Sequence, residues 1–254
     1  MKRVAFTMLI GLIAFVSAGL LARSLGKHQY ERYVGAKGWT LKQDVRDVYP
    51  DKEPRVTQRR IEYFAADNRH RSDRYIVNVD GSEECQSSFI YDPNLGLFQE
   101  DRKYRQLVYE EDHMVHLENV DIDIARALPN YVGDQEILGY NCAVFRITLP
   151  DGDVYERYEA YKLGRYPIQR IAYKAKATHI TEPTSIELGP PSEAEFMHND
   201  QWPINFGRFE DRIQSYSTTA AETKEPRAIE EVNRMRQQLQ QAKQRLASRG
   251  YAMK

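Results

Sequence analysis

Patterns that carry chemistry are scarce in this chain. Its 254 residues include two cysteines, Cys85 and Cys142, and no C-x-x-C pair. A G-x-S-x-G elbow, a phosphate-binding glycine loop and an H-E-x-x-H run are also missing, which removes the commonest hydrolase, nucleotide and zinc-protease signatures. Charge of one sign is not in excess either. Lys+Arg 36 against Asp+Glu 37 gives a net charge of −1, so there is no overall basic footprint for nucleic acid. No internal repeat is visible. The expectation is a protein without a catalytic set, cofactor or metal.

Long apolar runs are absent save one. Met1-Lys2-Arg3 is a positive start, and Val4 to Ala22 then carries no charge. About 19 residues of helix reach roughly 28 Å, enough for the hydrocarbon core of a bilayer. Val16-Ser17-Ala18 equally fits a processing site after a signal peptide. Residues 1–25 are therefore either an inner-membrane anchor or a cleaved signal. Both readings place the rest outside the cytoplasm, periplasmic and either soluble or anchored.

What is present reads mainly as β-structure. The 17 tyrosines suit sheets, where the ring packs and the hydroxyl reaches water. After 26–55, broken by Gly26, Gly35, Gly38, Pro50 and Pro54 and read as a linker, residues 56–205 form the body. Strands are expected at Thr57 to Phe64, Tyr75 to Val79 and Cys85 to Tyr91. Shorter ones follow at Leu97-Phe98, Leu107 to Tyr109 and Met114 to Leu117. Turn residues between them mark an antiparallel meander. Ile122, Ala125 and Leu128 have helical spacing, with Asp121 as N-cap and Pro129 as the stop. Between Gly133 and Lys176, three strands are divided by Pro150-Asp151-Gly152-Asp153 and by Leu163-Gly164-Arg165-Tyr166-Pro167. A last strand covers Ser185 to Leu188.

Residues 206–224 read as a second linker and 225–249 as an amphipathic helix opened by Pro226. Val232, Met235, Leu239, Ala242 and Leu246 recur at spacings of 3 and 4. That stripe either docks on the body or meets a protein partner, with Val232, Met235, Leu239 and Leu246 as the contact residues.

The remaining candidates each have a plain alternative. Cys85 and Cys142 lie in predicted strands of an exported chain, where they either bridge or stay as separate buried thiols. His113 and His116 are metal candidates only if their segment is helical, since i and i+3 diverge on a strand. Asp121 with Asp123, and Glu156 with Glu159, are carboxylate pairs of a kind common on wet faces. Lys162, Arg165, Arg170, Lys174 and Lys176 form a basic cluster that fits either anionic lipid head groups or a solvated sheet edge.

The order Glu136-Ile137-Leu138-Gly139-Tyr140-Asn141-Cys142, Gly152, Tyr158-Glu159-Ala160, Leu163-Gly164-Arg165-Tyr166-Pro167, Ile186-Glu187-Leu188-Gly189 and Phe196 resembles exported lipoprotein-carrier-like proteins of the LolA-like and RseB-like type. The match covers roughly Ile61 to Phe196. The resemblance implies an α+β but mainly β fold: an unclosed barrel, a curved antiparallel sheet packed on a short helix. It implies a non-enzymatic envelope protein that binds a lipid, lipoprotein or other apolar ligand on the concave face. Ile76, Val77, Phe89, Val144, Phe145, Tyr158 and Ile171 are the expected lining. The alternative is a membrane-anchored interaction module that uses the C-terminal helix.

Overall fold

A computed structural model describes residues 30–110, 117–198 and 201–253. The membrane or signal segment 1–25, His113, His116 and the strand expected from Met114 lie largely or wholly outside these residues. No helix among the described residues is long and apolar enough to cross a membrane.

Alternation of buried and exposed residues builds fourteen strands among the described residues. The first seven are β1 (Tyr30–Glu31), β2 (Trp39–Val48), β3 (Arg55–Phe64), β4 (His70–Val77), β5 (Glu83–Asp92), β6 (Gly96–Asp101) and β7 (Gln106–Glu110). Then come β8 (Val120–Asp121), β9 (Tyr131–Ile137), β10 (Tyr140–Thr148), β11 (Val154–Ala160), β12 (Tyr166–Tyr173), β13 (Thr178–Leu188) and β14 (Ile204–Asn205). The helices are α1 (Ile122–Arg126), α2 (Gly207–Thr223) and α3 (Pro226–Ala247).

Twelve strands form one sheet in the order β14-β7-β6-β5-β4-β3-β2-β13-β12-β11-β10-β9, while β1 pairs with β8. Every pairing is antiparallel except β14 on β7. The sheet is unclosed, because β14 and β9 are its two free ends. It is also strongly curved. Leu97 on β6 and Arg170 on β12 line one cavity. In a flat sheet six strand spacings of about 4.8 Å would hold them roughly 29 Å apart.

Local chemistry explains the turns and the short helix. Leu138 and Gly139 both take positive φ, 50° and 79°, as a two-residue hairpin between β9 and β10 requires. Gly164 has φ 65°, and a Cβ there would come within 2.9 Å of the backbone at Leu117 and Glu118. Asp121 caps α1, its carboxylate accepting from the amides of Asp123 and Ile124. That use gives the first carboxylate of the Asp121–Asp123 pair a structural role.

Three expectations are corrected. The span 26–55 is not a linker throughout, since β2 lies between β3 and β13 with Trp39 and Leu41 fully buried. Trp39 stacks on Phe64 at 4.0 Å and donates through Nε1 to the Tyr33 hydroxyl at 3.0 Å. Residues 206–224 are not a linker either. They form α2, because Phe209, Ile213 and Ala220 recur at helical spacing and pack inward. Finally, the α3 stripe is not free for a partner. Met235, Leu239, Ala242 and Leu246 close a core with Phe206, Phe209 and Ile213, over Leu95, Phe98, Leu107 and Tyr109 of the sheet's β6–β7 end. Val232 is buried as well.

Candidate ligand groove

The groove inside the curl is built from cross-strand rows. One row runs Trp39, Phe64, His70, Tyr91, Leu97 across β2 to β6. The next runs Leu41, Glu62, Ser72, Phe89, and the third Gln43, Arg60, Arg74. From the other wall, β12 contributes Tyr166, Pro167 and Arg170, and β13 contributes Thr181. Two pockets open between these walls and share Arg60, Arg170 and Thr181. The larger, of about 600 Å³, is lined by Phe145, Ile147, Tyr155, Ile171 and Ala172 together with Glu156, Arg157 and His179. The smaller, of about 240 Å³, is lined by Gln43, Glu62, His70, Ser72, Arg74, Phe89 and Tyr91. The larger pocket carries the greater share of apolar surface, and both contain charged groups.

Its charges fall into two sets. Glu62 is engaged, accepting from the Ser72 hydroxyl at 3.0 Å and meeting His70 Nε2 at 2.8 Å. Arg157 meets Glu159 at 2.6 Å, and Arg165 meets the same carboxylate at 2.6 Å. His179 Nδ1 lies 2.6 Å from Asp47. Arg60, Arg74 and Arg170, by contrast, form no ion pair among the described residues, and Arg60 Nε is buried without a hydrogen-bond partner there. Burial lowers the Arg60 guanidinium from its ordinary value, and the like charges of Arg74 and Arg170 lower it further. Arg74 lies over the Phe89 ring, 5.2 Å from its centroid.

The expected lining residues divide. Phe89 lines the smaller pocket, and Phe145 and Ile171 the larger. Val144 and Tyr158 are buried in the core around Trp39. Ile76 and Val77 sit at the far end of β4 and line neither pocket. Cys85 and Cys142 are both free, so the bridge is not formed. They lie on β5 and β10, and the sheet order places six other strands between those two. Burial pushes the Cys142 thiol up to about 12, which makes it inert rather than nucleophilic.

The Glu156–Glu159 pair is bound into the fabric. Glu156 accepts from the Tyr158 hydroxyl at 2.7 Å, from Arg146 Nε at 2.8 Å and from the Tyr173 hydroxyl at 3.3 Å. Burial alone would raise its carboxyl, but these hydrogen bonds and the Arg146 charge outweigh it and hold the group below the usual range. A carboxylate so held has no proton to give near neutral pH. No group of three or more His, Cys, Asp or Glu fit to hold a metal occurs among the described residues. The basic cluster of the sequence also splits: Arg165 turns to Glu159, Arg170 to the groove, and Lys162, Lys174 and Lys176 are exposed.

Sequence reasoning missed Arg60 and Arg74. Only the β3–β4 register brings them opposite each other.

No family model and no curated protein matches the chain. Among solved structures it is similar to an uncharacterised conserved protein of Thermus thermophilus, at 12% identity over 66% of this chain and 90% of that one, with a TM-score of 0.39. A LolA superfamily protein of Nitrosomonas europaea is 11% identical over 66% and 93% of the two chains, with a TM-score of 0.32. The Pseudomonas aeruginosa MucA/MucB complex contains a chain 12% identical over 66% and 59%, with a TM-score of 0.35. These likenesses concern the fold alone.

Proposed function

We propose that this protein is a non-enzymatic component of the cell envelope that holds a lipid, or the lipid part of a lipoprotein, in the groove of its curved sheet. One observation carries the reading. Beside the core around Trp39, the curl leaves a cavity of about 600 Å³ lined by Phe145, Ile147, Tyr155 and Ala172 among others, next to a second of about 240 Å³. Volumes of roughly 300–1,000 Å³ suit small ligands, and such sites pair apolar walls with a few polar groups. Each methylene moved from water into the larger pocket contributes about 0.8 kcal/mol, roughly fourfold in affinity. The uncharged run from Val4 to Ala22 supports export, with that run serving as the anchor or as a cleaved signal.

Calorimetric titration with octyl, decyl and dodecyl maltoside below their micellar concentrations tests the reading. Affinity should rise with each added pair of methylenes until the pocket is full, and Ile147→Asp should abolish the trend. Absence of binding across the series, or affinity independent of chain length, would overturn it.

A further inference from the structure

Arg60 and Arg74 are directly opposed on β3 and β4, and Arg170 is directly opposed to Arg157 across β11 and β12. Facing side chains in such pairs have Cβ atoms about 5 Å apart, and like charges there are destabilising. Arg157 is relieved by Glu159. Arg60, Arg74 and Arg170 form no ion pair among the described residues, although they line one pocket, and the charge of Glu62 offsets only part of the cost at Arg60. The chain supplies acceptors to arginines elsewhere on the same strands. Arg59 meets Asp44 at 3.0 Å, and Arg71 meets Asp73 at 2.7 Å. The Glu62 carboxylate near Arg60 is engaged by Ser72 and His70. Three guanidiniums are thus gathered around one pocket without an ion pair among the described residues, and Arg60 Nε is buried there without an acceptor. The planar fork of arginine matches the oxygens of phosphate, sulfate or carboxylate.

We propose that Arg60, Arg74 and Arg170 form an oxyanion-recognition site for the head group of the bound amphiphile, phosphate being the best fit, while its apolar part occupies the adjoining larger pocket. This rests on the groove reading above and adds the ligand's charge. The head lies among the three arginines, and Arg60 Nε gains the acceptor it lacks. The Phe89 ring lies beneath the Arg74 guanidinium, 5.2 Å from centroid to Cζ. Specificity follows from sign. A cationic head is repelled, and a neutral one leaves the guanidiniums as they are.

The test uses the full chain and four probes: dodecyl phosphate, dodecyl maltoside, dodecyltrimethylammonium and inorganic phosphate. Dodecyl phosphate should bind at least about tenfold more tightly than dodecyl maltoside, the difference expected of a charge-assisted hydrogen bond. The preference should shrink as salt rises from about 0.05 to about 0.5 M, over which the Debye length falls roughly threefold. Arg74→Gln and Arg170→Gln, both at exposed positions, should each erase most of the preference without lowering the melting temperature. Arg60→Gln should do the same. Equal affinity for the phosphate and maltoside heads would overturn the oxyanion site and leave the groove reading standing. Failure of every dodecyl probe to bind would overturn both. Inorganic phosphate binding as tightly as dodecyl phosphate would overturn the assignment to an amphiphile's head.

Discussion

The β6–β7 end of the sheet and the groove at its middle treat the same kinds of residue in opposite ways. At the β6–β7 end, α2 and α3 cover Phe98, Leu107 and Tyr109, and three cations around that core each meet an acceptor. Lys243 meets Glu210 at 2.6 Å, Arg208 meets Glu110 at 3.0 Å, and Arg245 donates to the Leu95 carbonyl at 3.0 Å. In the groove, apolar surface stays uncovered and three arginines stay unmatched among the described residues. One end resembles a finished core. The other looks like half of an interaction, kept open against a local cost, which is how strain and mismatch gather at functional sites.

The comparison can be broken at the covered end first. Leu246→Ala should destabilise the protein by about 2–5 kcal/mol, as truncations of fully buried leucines do. Chemical denaturation measures the loss, and the affinity of the remaining folded protein for dodecyl maltoside should be unchanged. A large loss of ligand affinity in folded Leu246→Ala would show that the two regions are not separate.

Next in size is a matched charge at the groove's back. Glu156→Gln should lower stability by about 1–3 kcal/mol at pH 7, since Arg146 loses an ionic acceptor. The Glu156 carboxyl is held below its ordinary value of 4.5 in the folded protein. Its contribution is therefore fully present above that value and fades as the pH falls through the folded-state value. Stability profiles of wild type and Glu156→Gln should converge in acid. Parallel profiles down to pH 3 would remove the argument.

A smaller effect of opposite sign is expected in the groove. Removing one member of the opposed Arg60–Arg74 pair relieves a like-charge contact, so Arg74→Gln should gain about 0.2–1 kcal/mol in denaturation. A clear loss would mean that Arg74 is matched after all. The mildest probe is chemical. A maleimide should label Cys85, which is half-buried, and spare Cys142 until the protein unfolds.

Much of the fold was legible in the sequence because period-two alternation and turn residues are local signals. The turns at Pro150 to Asp153 and at Leu163 to Pro167, the Asp121 cap and the α3 stripe all read directly, whereas the hairpin at Leu138-Gly139 did not. Trp39 to Val48 did not, since flanking glycines and prolines disguised a strand whose burial comes from β3 and β13 on either side. Nor did α2, whose Ser, Thr and Ala residues are neutral until Phe209 and Ile213 find the sheet. The groove was only half legible. Phe89, Phe145 and Ile171 stood out as apolar, but the arginines look like ordinary wet-face residues in one dimension. Arg60 and Arg170 come together only through the order β3-β2-β13-β12 and its curvature.

Arg60 offers the most direct reading of the whole account, because its side-chain Nε–H can be followed by ¹⁵N–¹H NMR while ligand is added. Dodecyl phosphate should shift that resonance and slow its exchange with water, as the orphaned donor acquires an acceptor, whereas dodecyltrimethylammonium should leave it alone. A resonance indifferent to dodecyl phosphate at saturation would contradict the claim that this groove awaits an anionic amphiphile.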